Sequence, residues 1–148
     1  MKLTGLTPIL NVSDVPASIG WFLKLGWRRA FAWNSGGMIA GGADRNDSGP
    51  AHFASVCCGD VEIFLCKDGQ GSRGRPLPGP ESDDDGGGVW MSWWFKTPQE
   101  VDEVHALAVR EGMAIAWPPT DEPWGVREFH LCHPDGHTFR ISAPLRCD

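Results

Sequence analysis

Between Val126 and Ser142 apolar and polar side chains alternate, with Phe129, Leu131, Phe139 and Ile141 interleaved by Glu128, His130, Cys132, Thr138, Arg140 and Ser142. A period of two marks a strand with one face buried. The intervening His133-Pro134-Asp135-Gly136 contains a Pro that presets φ in a turn and a Gly that accepts the positive φ closing it. The segment predicts an antiparallel hairpin. Its apolar set faces the core, and Glu128, His130 and Arg140 share the other face, which is either solvated surface or the wall of a pocket.

The rest of the chain reads as one pattern written twice. In the first half a strand over Leu6 to Val12 leads to a helix cap at Ser13-Asp14, and Val15, Ile19, Phe22 and Leu23 then recur at helical spacing until Gly26. Strands follow over Trp27 to Trp33, Ala51 to Cys58 and Val61 to Lys67, the last two joined at Gly59-Asp60. In the second half a strand over Val89 to Lys96 precedes Thr97-Pro98-Gln99-Glu100, a capping-box sequence with Pro at the first helical position. Val101, Val104, Leu107 and Ala108 form that helix's apolar stripe and Gly112 ends it. Strands near Met113 to Trp117, Val126 to Cys132 and His137 to Ser142 complete a second β-α-β-β-β order. The expected organisation is a first module over 1–67, a Gly/Pro/Asp-rich linker over 68–88 and a second module over 89–148, within one structural domain. Asn34 to Pro50 reads as a second Gly-rich loop.

Composition narrows the class. At 148 residues, 41% hydrophobic and 22% charged, the chain suits a soluble globular domain. No apolar run approaches a membrane span and MKLTGLTPIL has no signal-peptide core, so a cytoplasmic protein is expected. The five cysteines include no C-x-x-C pair and read as reduced, mostly packed thiols. A net charge of -6 with 13 Lys plus Arg spread along the chain disfavours a nucleic-acid partner. The aromatic choice is more telling, because 8 Trp, 7 Phe and no Tyr supply flat surface for packing or for stacking on a ligand. His130, His133 and His137 cluster in the closing hairpin, but their spacing fits surface or turn positions better than a metal signature. His52 and His105 read as structural or exposed, and Cys57, Cys58, Cys66 and Cys132 as packed strand residues.

The doubled order, Asn11-Val12-Ser13-Asp14-Val15 with Ser18-Ile19, and Pro123-Trp124-Gly125, Arg127-Glu128-Phe129 and Pro134-Asp135-Gly136 resemble the vicinal oxygen chelate superfamily. That superfamily includes glyoxalases, extradiol dioxygenases, and fosfomycin- and bleomycin-resistance proteins. The final run looks most like the bleomycin-resistance type, with Val126 inserted between Gly125 and Arg127. The resemblance implies an α+β fold in which two βαβββ modules form a curled mixed sheet, a half-barrel around a concave cavity, with helices on the convex side. It also implies a homodimer.

Metal-dependent members carry four ligands at positions matching Thr7, Phe64, Met91 and Arg140. None of these suits a divalent ion, and Arg140 repels one. A slip of one residue on the last strand offers only Phe139 or Ile141, and moving the first-module match to Glu62 supplies one carboxylate. In this register the concave face collects Ile9, Asn11, Glu62, Phe64, Met91, Trp93, Phe95, Glu128 and Arg140, while Trp90 and Trp94 lie beneath the helices. Trp33, Trp117 and Trp124 stand at the rims.

The expected function is metal-free, cofactor-free binding of a small molecule, sequestered in a Trp-lined crevice and involving neither nucleic acid nor membrane. Glu62, Glu128 and the run from Glu81 to Asp85 would draw cationic groups, and Arg140 would hold a carboxylate or pair with Glu128. The alternatives are a metal-dependent lyase, isomerase or dioxygenase of the same superfamily, and an interaction module with a dry, packed face.

Overall fold

Residues 1–75 and 87–146 are described in a computed structural model. They divide into two compact units, Met1–Ser72 and Arg73–Asp148. The boundary falls inside the expected linker, of which residues 76–86 lie outside the described residues, as does the run from Glu81 to Asp85. The linker's flanks are tied down. Gly71 O accepts from Asn11 Nδ2 at 2.7 Å, and the Gly74 N–H donates to Asp135 O at 2.9 Å.

In the first unit, β1 (Ile9–Val12), α1 (Val15–Lys24), β2 (Arg28–Asn34), β6 (Phe53–Cys58) and β7 (Val61–Lys67) follow the expected order. β1 is shorter than the predicted Leu6 to Val12, since Pro8 brings no N–H to the ladder. Asp14 caps α1 by accepting from Ala17 N at 2.9 Å, and Gly26 adopts φ 82° beyond the C-terminus. The main sheet runs β1-β7-β6-β2-β3, where β3 is Gly37–Met38, with β1 and β7 parallel. Leu10, Val12, Ala32, Ala54, Val56, Ile63 and Leu65 are buried on one face with Val15, Ile19 and Phe22 of α1.

The loop expected over Asn34 to Pro50 is built rather than irregular. It holds β3 (Gly37–Met38), β4 (Arg45–Asn46) and β5 (Gly49–Pro50), the last two forming a separate ribbon. Asn34, fully buried, organises it. Its Nδ2 donates to Asn46 Oδ1 at 2.8 Å and Gly49 O at 2.9 Å, and its Oδ1 accepts from Gly36 N at 2.9 Å and Asn46 Nδ2 at 3.0 Å. A buried amide with donors and acceptor all satisfied holds these turns together beside buried Ile39.

The second unit contains β8 (Trp90–Trp94), α2 (Pro98–Arg110), β9 (Ala114–Glu122), β10 (Val126–Cys132) and β11 (Thr138–Pro144). Both halves of the capping box form, with Thr97 Oγ1 accepting from Glu100 N and Glu100 Oε2 accepting from Thr97 N. The four-stranded sheet runs β8-β11-β10-β9. Phe129, Leu131, Phe139, Ile141, Val101 and Ala108 are buried between it and α2. Arg127 fastens the same face, reaching Asp102 of α2 at 2.7 Å and Asp121 of β9 at 2.8 Å. β9 extends five residues past the predicted Trp117, through Pro118 and Pro119. As an edge strand it tolerates two prolines.

The fold is therefore α+β, with one mixed sheet and one helix in each unit plus the small ribbon, not a single continuous curled sheet. Among the described residues no helix is long and apolar enough to cross a membrane.

The closing turn forms as predicted, with Gly136 at φ 80° and its N–H donating to His133 O at 2.9 Å. A side chain on Gly136 would meet the backbone of Gly74 and Arg75. Of the surface or turn positions expected, His133 and His137 flank the turn, and both are buried there. His133 Nδ1 accepts from Asp135 N at 3.1 Å, and His137 Nδ1 accepts from Val89 N at 3.0 Å. Burial, reinforced by His137 and only partly offset by Asp135, lowers the His133 pKa from 6.5 to about 4. Unfolding between these two values takes up a proton, so this residue's contribution is complete above pH 6.5 and is lost as pH falls toward 4. From pH 7 to 4.5 the native chain should lose about 2 kcal/mol more stability than a His133→Asn variant, whose amide oxygen keeps the turn bond. Urea unfolding at both pH values measures the difference.

Candidate functional site

Strand pairing decides which side chains share a face. Glu128 pairs with Ser142, His130 with Arg140, and, on the other side of β11, Thr138, Arg140 and Ser142 pair with Trp90, Ser92 and Trp94. His130 also pairs with Trp117 of β9, across a register shift. The face opposite α2 thus carries Glu128, His130, Arg140 and Ser142 together with Trp90, Trp94 and Trp117.

Glu128 is at the centre and only 1% exposed. Both its oxygens are used. Oε1 accepts from Arg140 Nη2 at 3.0 Å and lies 3.4 Å from His130 Nε2, while Oε2 accepts from the same Nη2 at 2.8 Å and from Ser142 Oγ at 3.1 Å. One guanidinium nitrogen thus bridges both oxygens and leaves Arg140 Nη1 and Nε without a partner among the described residues, on a side chain 37% exposed. The His130 ring meets Trp90 edge-on at 5.4 Å and lies tilted at 6.4 Å from Trp117, whose Nε1 donates to Glu122 Oε1 at 3.2 Å. Trp94 is 65% exposed. The arrangement is a buried, neutralised carboxylate beneath a fixed guanidinium and three indoles.

This corrects the sequence reading of β8. Met91 and Trp93 pair with Phe139 and Ile141 and so lie on the α2 side, where Trp93 is buried and stacks on Phe139 at 4.6 Å. Trp90 and Trp94, expected beneath the helix, stand with Glu128 and Arg140 instead. Phe95, half-buried, follows the strand, with its N–H donating to Ser142 O at 2.8 Å. Trp124 is exposed in the turn between β9 and β10.

In the first unit Ile9, Phe64, Ser55 and Phe31 align across neighbouring strands on the face away from the buried core. Phe31, Phe53 and Phe64 form a half-buried cluster with centroids 5.3–6.1 Å apart. Glu62 accepts from the Ser55 hydroxyl, and Trp33 is exposed beside Phe53 and Met38. A separate cleft of about 280 Å³ opens at the start of α1, bounded by Asp14, Asp44, Arg45 and Lys67 among others, and takes in none of the predicted site residues.

The donors do not fit the divalent ion of metal-dependent relatives. Of the four matched positions, Met91 lies on the α2 side and the neighbours sharing Arg140's face are Trp90 and Ser92. Among the described residues no group of three or more His, Cys, Asp or Glu side chains could hold a metal. The four described cysteines are free, and Cys58 is exposed rather than packed, whereas Cys57 and Cys132 are buried. Burial raises the thiol pKa of Cys132 and Cys66. Cys147 lies outside the described residues.

The Glyoxalase/Bleomycin resistance protein/Dioxygenase superfamily profile matches residues 5–141. The chain belongs to this superfamily. No curated protein sequence matches it. Similar solved structures from the superfamily's fold include TioX from Micromonospora sp. ML1, with TM-score 0.69 and 17% identity over 96% of this chain and 99% of that one. A glyoxalase/bleomycin resistance protein/dioxygenase from Nocardioides gives TM-score 0.65 and 19% identity, covering 100% and 87% of the two chains. A bleomycin-binding protein complexed with bleomycin gives TM-score 0.61 and 15% identity, covering 95% and 98%. At these identities the likeness is one of fold.

The corrected faces give Trp93 and Trp94 different roles. Trp93→Ala should destabilise the protein by about 3 kcal/mol, the scale of emptying a packed aromatic site, whereas Trp94→Ala should change stability by less than about 0.5 kcal/mol. Chemical unfolding of both variants provides the comparison, and equal losses would contradict the assigned faces.

Proposed function

We propose that this superfamily member is a small-molecule-binding protein that sequesters its ligand without a metal or cofactor, as the bleomycin-binding protein of similar fold binds bleomycin. The observation carrying this reading is the conjunction on one face of three indoles with the Glu128–Arg140 ion pair, Arg140 being the position that the resemblance matches to a family metal ligand. Exposed aromatic surface with a few fixed polar groups is the usual lining of a small-molecule site. Each sheet face away from its helix is taken as the concave, ligand-facing side expected from the family. On the second unit the contact residues are Trp90, Trp94, Trp117 and Arg140, with Glu128 beneath them. Phe64, Glu62 and Trp33 form a contact surface on the first.

This reading reassigns Glu128. A carboxylate already compensated by Arg140, Ser142 and His130 has no oxygen free to coordinate a cation, so it holds Arg140 in place. A metal-dependent lyase, isomerase or dioxygenase would need carboxylate or imidazole ligands at Thr7, Phe64, Met91 and Arg140, the positions that the resemblance matches to the family's ligands, and none of the four supplies one. The homodimer implied by the family remains part of the proposal.

Thermal shift and tryptophan quenching against a panel of planar aromatic compounds, with bleomycin included, should identify compounds that stabilise the native state. Trp90→Ala and Trp94→Ala should weaken a binding compound about tenfold. Metal analysis of protein purified without chelators should show less than stoichiometric Ni, Zn, Mn or Fe. A stoichiometric metal, or a panel without any binder, would overturn the proposal.

A further inference from the structure

We infer that the ligand face of the second unit selects anions, and that its ligand is a planar aromatic molecule whose carboxylate docks on Arg140. The inference rests on the small-molecule-binding reading and gives the ligand a charge. It reverses the expectation that Glu128 attracts cationic groups.

The polarity follows from how the ion pair is made. Glu128 is inaccessible and both its oxygens are engaged, so it presents no negative charge to a ligand. Arg140 spends a single nitrogen on that carboxylate. Nη1 and Nε, three N–H groups in all, have no partner among the described residues, on a side chain that is 37% exposed. A guanidinium held at one nitrogen is immobilised before a ligand arrives, so less side-chain freedom is lost when an anion accepts from its other donors. The two carboxylates of β9 are engaged elsewhere, Glu122 by Trp117 Nε1 and Asp121 by Arg127.

The aromatic part follows from register. Arg140 lies opposite Ser92, a small side chain, with Trp90 two residues before it and Trp94 two residues after it on the same face of β8. Small Ser92 leaves the guanidinium uncovered between two exposed indoles. A flat ring can lie on an indole while its carboxylate reaches Arg140, whereas an aliphatic acid would gain only the ion contact and an aromatic amine would meet the guanidinium as a like charge.

Three probes with one ring system and different charges test this. They are 2-naphthoate, 2-naphthamide and 2-naphthylmethylammonium, titrated into the full chain with tryptophan fluorescence and calorimetry as readouts. 2-Naphthoate should bind about tenfold more tightly than the amide, and the ammonium compound more weakly than either. The naphthoate advantage should shrink as NaCl rises from 20 to 500 mM, as expected for a partly exposed charge contact, at salt levels of about these values. Because Arg140→Ala alone would strand a buried carboxylate, the variant of choice is the double substitution Glu128→Gln with Arg140→Gln. It keeps a hydrogen-bonded pair without charge and should remove the naphthoate advantage over the amide. If all three probes bind equally, and Trp94→Ala weakens each of them, the face binds aromatics and the anion selectivity is overturned. If none of the three binds while other panel compounds do, the inference falls and the binding reading stands. A preference for the ammonium probe also overturns the inference.

Discussion

Glu128 is an ionisable side chain kept almost wholly from water, and the face around it is organised by the need to compensate its charge. A carboxylate in that position is stable only when its charge and its lone pairs are satisfied. Arg140 supplies the charge, Ser142 a hydroxyl, and His130 a ring nitrogen close by. These three come from β10 and β11, whose hairpin is fixed in turn by the buried turn histidines and by Gly136. The same strands carry Phe129, Leu131, Phe139 and Ile141 to the opposite side, so one register serves both the core and the polar face.

Much of this was legible in the residues. The hairpin alternates cleanly, both helices have recognisable caps, and the doubled β-α-β-β-β order places each strand in its sheet. The pairing of Glu128 with Arg140 was one of two roles that the sequence left open for Arg140, and the geometry realises it while leaving two nitrogens for the other role.

What the residues did not disclose has physical causes. In β8, Trp90-Met91-Ser92-Trp93-Trp94 has large side chains at four of five places, so apolar alternation cannot say which set faces the helix. Only the parallel pairing with β11 settles it, and that is a non-local contact. The ribbon within 34–50 was missed for a different reason. It is tied together by buried Asn34 and half-buried Asn46, and polar residues in a Gly-rich stretch look the same in sequence whether they bond each other or water. β9 outran its predicted end because prolines stop central strands but not edge strands. His133 and His137 read as surface or turn residues because the packing of the Gly74 and Arg75 backbone against Gly136 is a non-local contact.

The superfamily's metal chemistry and the binding reading differ at Glu128 and Arg140, where this chain has an ion pair. The most direct measurement is therefore a double-mutant cycle between Glu128→Gln and Arg140→Gln, read by chemical unfolding at pH 7. A compensated buried carboxylate predicts that each single substitution costs more than the double, with a coupling of about 2 kcal/mol after allowance for Arg140's exposure. Additive effects, within about 0.5 kcal/mol, would mean that Glu128 is not held by Arg140, and would contradict the account.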